Sequence, residues 1–144
     1  MKKRKYRSYH KYDVVYADFG RNPNGVEGGV RPAIVVSCDA SNHNHAPQVT
    51  VVPLSSKLKD IVVHVTLNPE DIQGYGIRRR SDFMPEDIQT LAKKSIKRWS
   101  GQVTENSGKR ELLDRALIKQ LDLLSVAKKM IMEESDNEEE RKEA

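Results

Sequence analysis

The first seventy residues read as short strands cut apart by turn-forming residues, and that rhythm leaves few architectures open. Residues 13–19 (DVVYADF) alternate, with Val15, Ala17 and Phe19 on one face and Val14, Tyr16 and Asp18 on the other, the period of a half-buried strand. Residues 20–30 (GRNPNGVEGGV) hold four glycines, a proline and two asparagines, which forbids regular structure and permits positive φ. A buried-type strand follows from Ala33 to Cys38, then a polar loop, then a third strand from Val49 to Leu54. Alternation returns over residues 61–67 (IVVHVTL), placing Ile61, Val63, Val65 and Leu67 inward and His64 outward with Val62 and Thr66. Connections this short leave no room for crossover helices, so the pattern predicts a small, strongly bent sheet or barrel.

The remainder of the chain fits a mainly β, α+β domain with one C-terminal amphipathic helix. Gly74 and Gly76 mark a turn, Arg78, Arg79 and Arg80 are consecutive, and a strand is expected from Ser81 to about Ala92. KKSIKRWSGQVT sets four bases around Trp99 and supplies a short final strand. Over residues 109–132 the period changes: Leu113, Leu117, Leu121, Leu124 and Ile131 recur at helical spacing, which predicts one wide buried face with Arg110, Arg115, Lys119 and Lys128 opposite. Residues 133–144 (EESDNEEERKEA) hold no apolar residue but Ala144 and are expected to fray. The organisation expected is a basic flexible arm over 1–11, one folded domain over 12–132, and an acidic disordered tail over 133–144.

Charge is distributed unevenly. Residues 1–11 carry six basic groups and no acid, while residues 133–144 carry a net of −5, so the other 132 residues hold +9 against the chain's total of +4. Such a body attracts polyanions: RNA, DNA or an acidic protein segment. There is no window of 18 apolar residues and no apolar stretch behind the basic start, so neither a membrane span nor a secretory signal is expected, and the cytoplasm is the expected compartment. Cys38 is the only cysteine, which excludes an intramolecular disulfide or a cysteine-based zinc site; within AIVVSC it reads as a small buried thiol.

Several chemical signals fail on inspection. His43 and His45 lack further ligands for a metal. Ser55, His64 and Asp60 can be drawn as a hydrolase triad, yet no G-x-S-x-G elbow exposes the serine. The glycine-rich segment lacks the G-K-[ST] ending of a nucleotide cradle. No metal and no cofactor are expected.

Two segments are more specific. In Gly28-Gly29-Val30-Arg31-Pro32-Ala33-Ile34-Val35-Val36 a glycine pair delivers an arginine to the mouth of a buried strand, and the following proline holds that arginine extended. In Val51-Val52-Pro53-Leu54-Ser55-Ser56-Lys57 hydroxyls and a lysine emerge where the next strand leaves the core. If those strand ends are neighbours, a guanidinium, hydroxyls and an ammonium converge, a set that can hold a phosphate and stabilise charge growing on its oxygens.

DVVYADF, GGVRPAIVVS, VTVVPLSSK and HVTL, in that order from about Asp13 to Val103, resemble the MazF/PemK/Kid family of toxin endoribonucleases. The resemblance implies a plug-like, strongly bent antiparallel β-barrel of the kind shared with CcdB toxins, with a C-terminal helix. It implies a homodimer cutting single-stranded RNA, neutralised by an antitoxin whose disordered acidic segment occupies the RNA groove. It places Arg31 at the family's catalytic arginine and Ser55 at its catalytic threonine or serine. The implied reaction is attack of the RNA 2′-hydroxyl on the adjacent phosphate, giving a 2′,3′-cyclic phosphate and a 5′-hydroxyl. Glu27, Gly28, Gly29, Ser56, Lys57, His64 and Ser81 then stand as RNA-binding candidates, His64 reading equally as a strand histidine on a solvated face. Two departures appear. The family's S-E-Q-G-G turn reads Gly25-Val26-Glu27-Gly28-Gly29, and Gln89-Thr90-Leu91-Ala92 stands where Kid-like members have an arginine and an aspartate three apart. Two other functions compete: a non-catalytic RNA- or antitoxin-binding barrel, and a CcdB-like gyrase poison, whose Trp-Gly-Ile-like ending is replaced here by the acidic run.

Overall fold

The computed structural model describes residues 5–21 and 28–143. Eight strands form one antiparallel sheet: β1 (Asp13–Asp18), β2 (Val30–Val35), β3 (Gln48–Ser55), β4 (Val65–Leu67), β5 (Ile72–Gln73), β6 (Ser81–Phe83), β7 (Gln89–Ala92) and β8 (Ile96–Val103). Their spatial order is β4-β6-β3-β2-β1-β8-β5, with β7 also pairing with β3. Helices α1 (Lys109–Gln120) and α2 (Leu124–Glu143) follow.

The curl has local causes. Register shifts between β1 and β8 fall at Val14/Val15 and Tyr16/Ala17, and such bulges increase bend and twist. On its other edge β3 changes partner, from β7 at Gln48–Val51 to β6 at Leu54–Ser55. Pro53 occupies the changeover. Its carbonyl accepts the Met84 N–H at 3.3 Å, so its nitrogen faces the same gap, where the missing donor interrupts no ladder.

Both faces of the central strands are buried, where one solvated face was expected for β1. Val14, Ile34, Val52 and Leu54 pack with Phe83, Val103 and the Leu113 and Ala116 side chains of α1. Val15, Ala17, Ala33, Val35 and Val51 pack on the opposite face with Tyr9 and Leu91, and Trp99 closes that cluster. Residues 5–11 are therefore no free arm. Tyr9 is buried, the Tyr6 N–H donates to Asn44 O at 2.6 Å, and the Arg7 guanidinium lies 5.6 Å from the Trp99 ring. Lys93 donates to the carbonyls of Asn42 and His43 beneath Tyr6 and Tyr9, and burial lowers its pKa.

Five other expectations are corrected. The strand expected over 61–67 survives only as β4. Ile61 and His64 donate backward within a turn, β6 offers only three residues to pair with, and Val62 is 92% exposed. The strand expected over 81–92 is split at Pro85, which opens a single turn of 3-10 helix, Pro85–Asp87. Cys38 is exposed, because β2 ends at Val35 and the chain turns outward; its Sγ lies 3.4 Å from Ser41 Oγ.

The helix, finally, is two. Asp122 adopts φ 53, and the Leu123 N–H closes back on Ile118 O at 3.0 Å, a left-handed C-terminal stop. Only Leu113 and Ala116 are buried, with Leu117 packed beside them, while Leu121, Leu124 and Ile131 stand exposed. A 12-residue helix is about 18 Å long, and past its end no described residue covers the stripe. The acidic run is helical to Glu143, favoured by the helix propensity of Glu and by Arg141 and Lys142 at the negative end of the dipole.

Candidate active site

Arg31 is the second residue of β2, opposite Ala17 of β1. The β2–β3 register pairs Ala33 with Pro53, and continuing it two residues carries Arg31 toward Ser55. Pro32 holds the preceding residue extended. The guanidinium Nε and Nη2 donate to Gly28 O at 3.3 and 2.9 Å, tying the side chain to the segment that delivers it.

Ser55 ends β3, only 4% exposed, and pairs with Asp82 of β6. Its Oγ accepts the Lys57 N–H at 3.2 Å, a bond that uses an oxygen lone pair and not the hydroxyl proton. Ser56 and Lys57 then swing into solvent.

These strand ends open on one cavity of about 590 Å³. Arg31, Ser55, Gly28, Ser56, Lys57 and Ser81 all line it. So do three residues to which no role was given from the sequence: Tyr16, Arg78 and Arg79. The arginine run is plain in the sequence, but nothing local says which strand end it stands beside. Arg31, Lys57, Arg78 and Arg79 put four cations around the cavity, and no carboxylate is among the described residues lining it. Tyr16 contributes an aromatic wall, with the Arg98 guanidinium 4.3 Å from its ring centroid. A phosphodiester fits such a site through guanidinium forks, hydroxyl donors and a ring for stacking.

Other candidates are placed elsewhere. Glu27 lies outside the described residues. Gly29 (φ 80) closes the β1–β2 connection, donating to Gly20 O and accepting from the Phe19 N–H, and does not line the cavity. His64 is not on a solvated face. Its ring is buried, with Nδ1 3.3 Å from Asp82 Oδ2 and Nε2 against Glu86, and it borders a second recess beside α1. The His43 and His45 rings are 6.3 Å apart, and among the described residues no three His, Cys, Asp or Glu side chains cluster to hold a metal ion.

A family model described as the PemK-like, MazF-like toxin of type II toxin-antitoxin systems matches residues 10–121. The chain belongs to the PemK/MazF-like toxin family. Endoribonuclease EndoA of Bacillus subtilis is 29% identical over 86 residues, spanning 58% of this chain and 71% of that protein. Among solved structures, an endoribonuclease from a mycobacterial species superposes with a TM-score of 0.65 at 22% identity, covering 83% of this chain and 96% of the other. MazF from Deinococcus radiodurans superposes with a TM-score of 0.62 at 20% identity, covering 81% and 98%. These structural likenesses show the PemK/MazF-like fold, the bent antiparallel barrel with a C-terminal helix that the sequence motifs implied. The family match stops at Leu121, so α2 lies outside it. No helix among the described residues is long and apolar enough to cross a membrane.

Proposed function

We propose that this chain is a cytoplasmic toxin that cleaves single-stranded RNA without a metal ion, leaving 2′,3′-cyclic phosphate and 5′-hydroxyl ends. The observation that carries the reading is the opening of Arg31 and Ser55 onto one cationic cavity. In the reaction the 2′-oxygen attacks phosphorus and the bond from phosphorus to the 5′-oxygen breaks. The 2′-hydroxyl gives up its proton and the departing 5′-oxygen gains one. Arg31 stabilises the negative charge on the phosphorane-like oxygens; its high pKa makes it a poor base and a good permanent donor. The Ser55 hydroxyl donates to a phosphoryl oxygen, the role its Lys57 bond leaves open. The partners are single-stranded RNA, a second copy of the chain in a homodimer, and an antitoxin whose acidic segment blocks the same cations.

Cleavage of a single-stranded RNA in EDTA, with the new ends mapped for 5′-hydroxyls, tests this. Arg31→Ala is expected to slow cleavage about 100- to 1000-fold, the effect of removing one preorganised oxyanion donor. Full activity in that variant, or cleavage that needs a divalent ion, overturns the assignment. Retained RNA binding with no cleavage by the wild type leaves a binding barrel instead.

A further inference from the structure

We propose that Arg78 and Arg79 hold RNA phosphates flanking the one that reacts, and so act as positioning residues. The inference rests on the cleavage reading above and names the part of the site that grips the substrate strand.

The segment is short and pinned at both ends. Ile77 is buried in the core and Ser81 is buried at the start of β6. The turn before it is fastened by the Gly76 N–H on Ser100 O at 2.7 Å and by Ser100 Oγ on Gly76 O at 2.8 Å. Ser81 Oγ donates to Arg79 O at 2.9 Å. Three consecutive arginines thus bridge two buried anchors, and two of them, Arg78 and Arg79, line the cavity, whereas Arg80 does not. Neither Arg78 nor Arg79 has a side-chain hydrogen bond or ion pair to any described residue.

Lys57, Arg78 and Arg79 are like charges on the cavity that also holds Arg31, and no described residue lining it is a carboxylate. A single phosphodiester carries one negative charge, and the reacting one is taken by Arg31 and Ser55. The surplus cations therefore match further phosphates of the same strand, where planar guanidinium forks pair bidentately. RNA is favoured over an acidic peptide because these arginines are continuous with the Arg31–Ser55 end of the cavity.

The test uses the full-length protein, the double variant Arg78→Ala/Arg79→Ala, and Arg80→Ala as a control that removes a neighbouring charge outside the cavity. Binding of a fully 2′-O-methylated oligonucleotide, which cannot react, is measured across a salt series. The double variant is expected to flatten the slope of log K against log salt by about 1.4, at roughly 0.7 per phosphate contact in a single strand. With cleavable RNA its KM rises roughly tenfold while kcat stays within about twofold, the mark of binding shared by ground and transition states. Arg80→Ala leaves both unchanged.

An unchanged slope in the double variant, an equal effect from Arg80→Ala, or a fall in kcat at constant KM each overturns the inference. So does loss of binding to polyglutamate with RNA binding intact, which assigns the arginines to an acidic protein. If the wild type does not cleave but the slope still flattens, the cleavage reading fails and phosphate binding by these residues stands.

Discussion

Replacing Asp82 with alanine removes a hub that holds the segment following Ser55. Asp82 sits buried in the middle of β6. Its Oδ1 accepts the Thr66 hydroxyl at 2.8 Å, and its Oδ2 accepts the Lys59 N–H at 3.2 Å and lies 3.3 Å from His64 Nδ1. One carboxylate thereby joins β6, β4 and the loop that leaves the cavity through Ser56 and Lys57. Alanine leaves a hydroxyl, an amide and a ring nitrogen without that partner, at about 1–3 kcal/mol for each buried unsatisfied group. The exposed Lys59 amide reaches water on relaxation, so the total stays in the lower part of that sum, about 3–5 kcal/mol. At roughly 4 °C per kcal/mol for a chain of this size, Tm drops by about 12–20 °C. Asp82→Asn keeps an acceptor for Thr66 but turns an amide donor toward the Lys59 N–H, and falls between. Thermal unfolding by circular dichroism reads the Tm, and hydrogen exchange reads the Lys59 amide, which loses protection ahead of the β1–β2 ladder. A fall below about 5 °C in Asp82→Ala, with Lys59 still protected, refutes the hub.

Stability is expected to fall as pH rises above about 10. Burial opposes the charge on Lys11, but the Asp114 carboxylate 3.0 Å away outweighs it and holds Lys11 above its ordinary value. Burial, reinforced by its hydrogen bond to Asp114, raises Tyr12. Both groups keep their protons longer when folded, so the unfolded chain loses protons first and the stability present below the unfolded values drains away through the folded ones. Lys93, lowered by burial, works in the opposite direction over the same range, and burial also raises Tyr9, so urea midpoints should decline less steeply in Asp114→Asn without becoming flat; an unchanged profile contradicts the assignment. Ending the chain after Leu123 removes α2, which buries no residue, and keeps the bond that closes α1, so Tm is expected to move by less than about 2 °C. A larger fall means that α2 has a packing partner.

What could be read without coordinates was whatever depends on near neighbours in the chain. Period-two alternation at Asp13–Asp18, the proline-locked Arg31 and the helical spacing from Leu113 are local properties of a backbone with a fixed side-chain geometry, and the motifs around Arg31 and Ser55 carried the family with them. Tertiary structure decided what covers each face and which distant segments meet. Alternation across β1 cannot show that Tyr9 and Trp99 bury its second face, and a leucine period cannot show that the surface ends after α1 and leaves Leu124 and Ile131 uncovered. His64 looks like an outward strand residue until β6 and the turn after it bring Asp82 and Glu86 against its ring. Arg78 and Arg79 enter the cavity only because β6 pairs with the last two residues of β3, a contact between segments more than twenty residues apart. Register and burial are set by the free energy of the whole packed sheet, a quantity that no window of neighbouring residues contains.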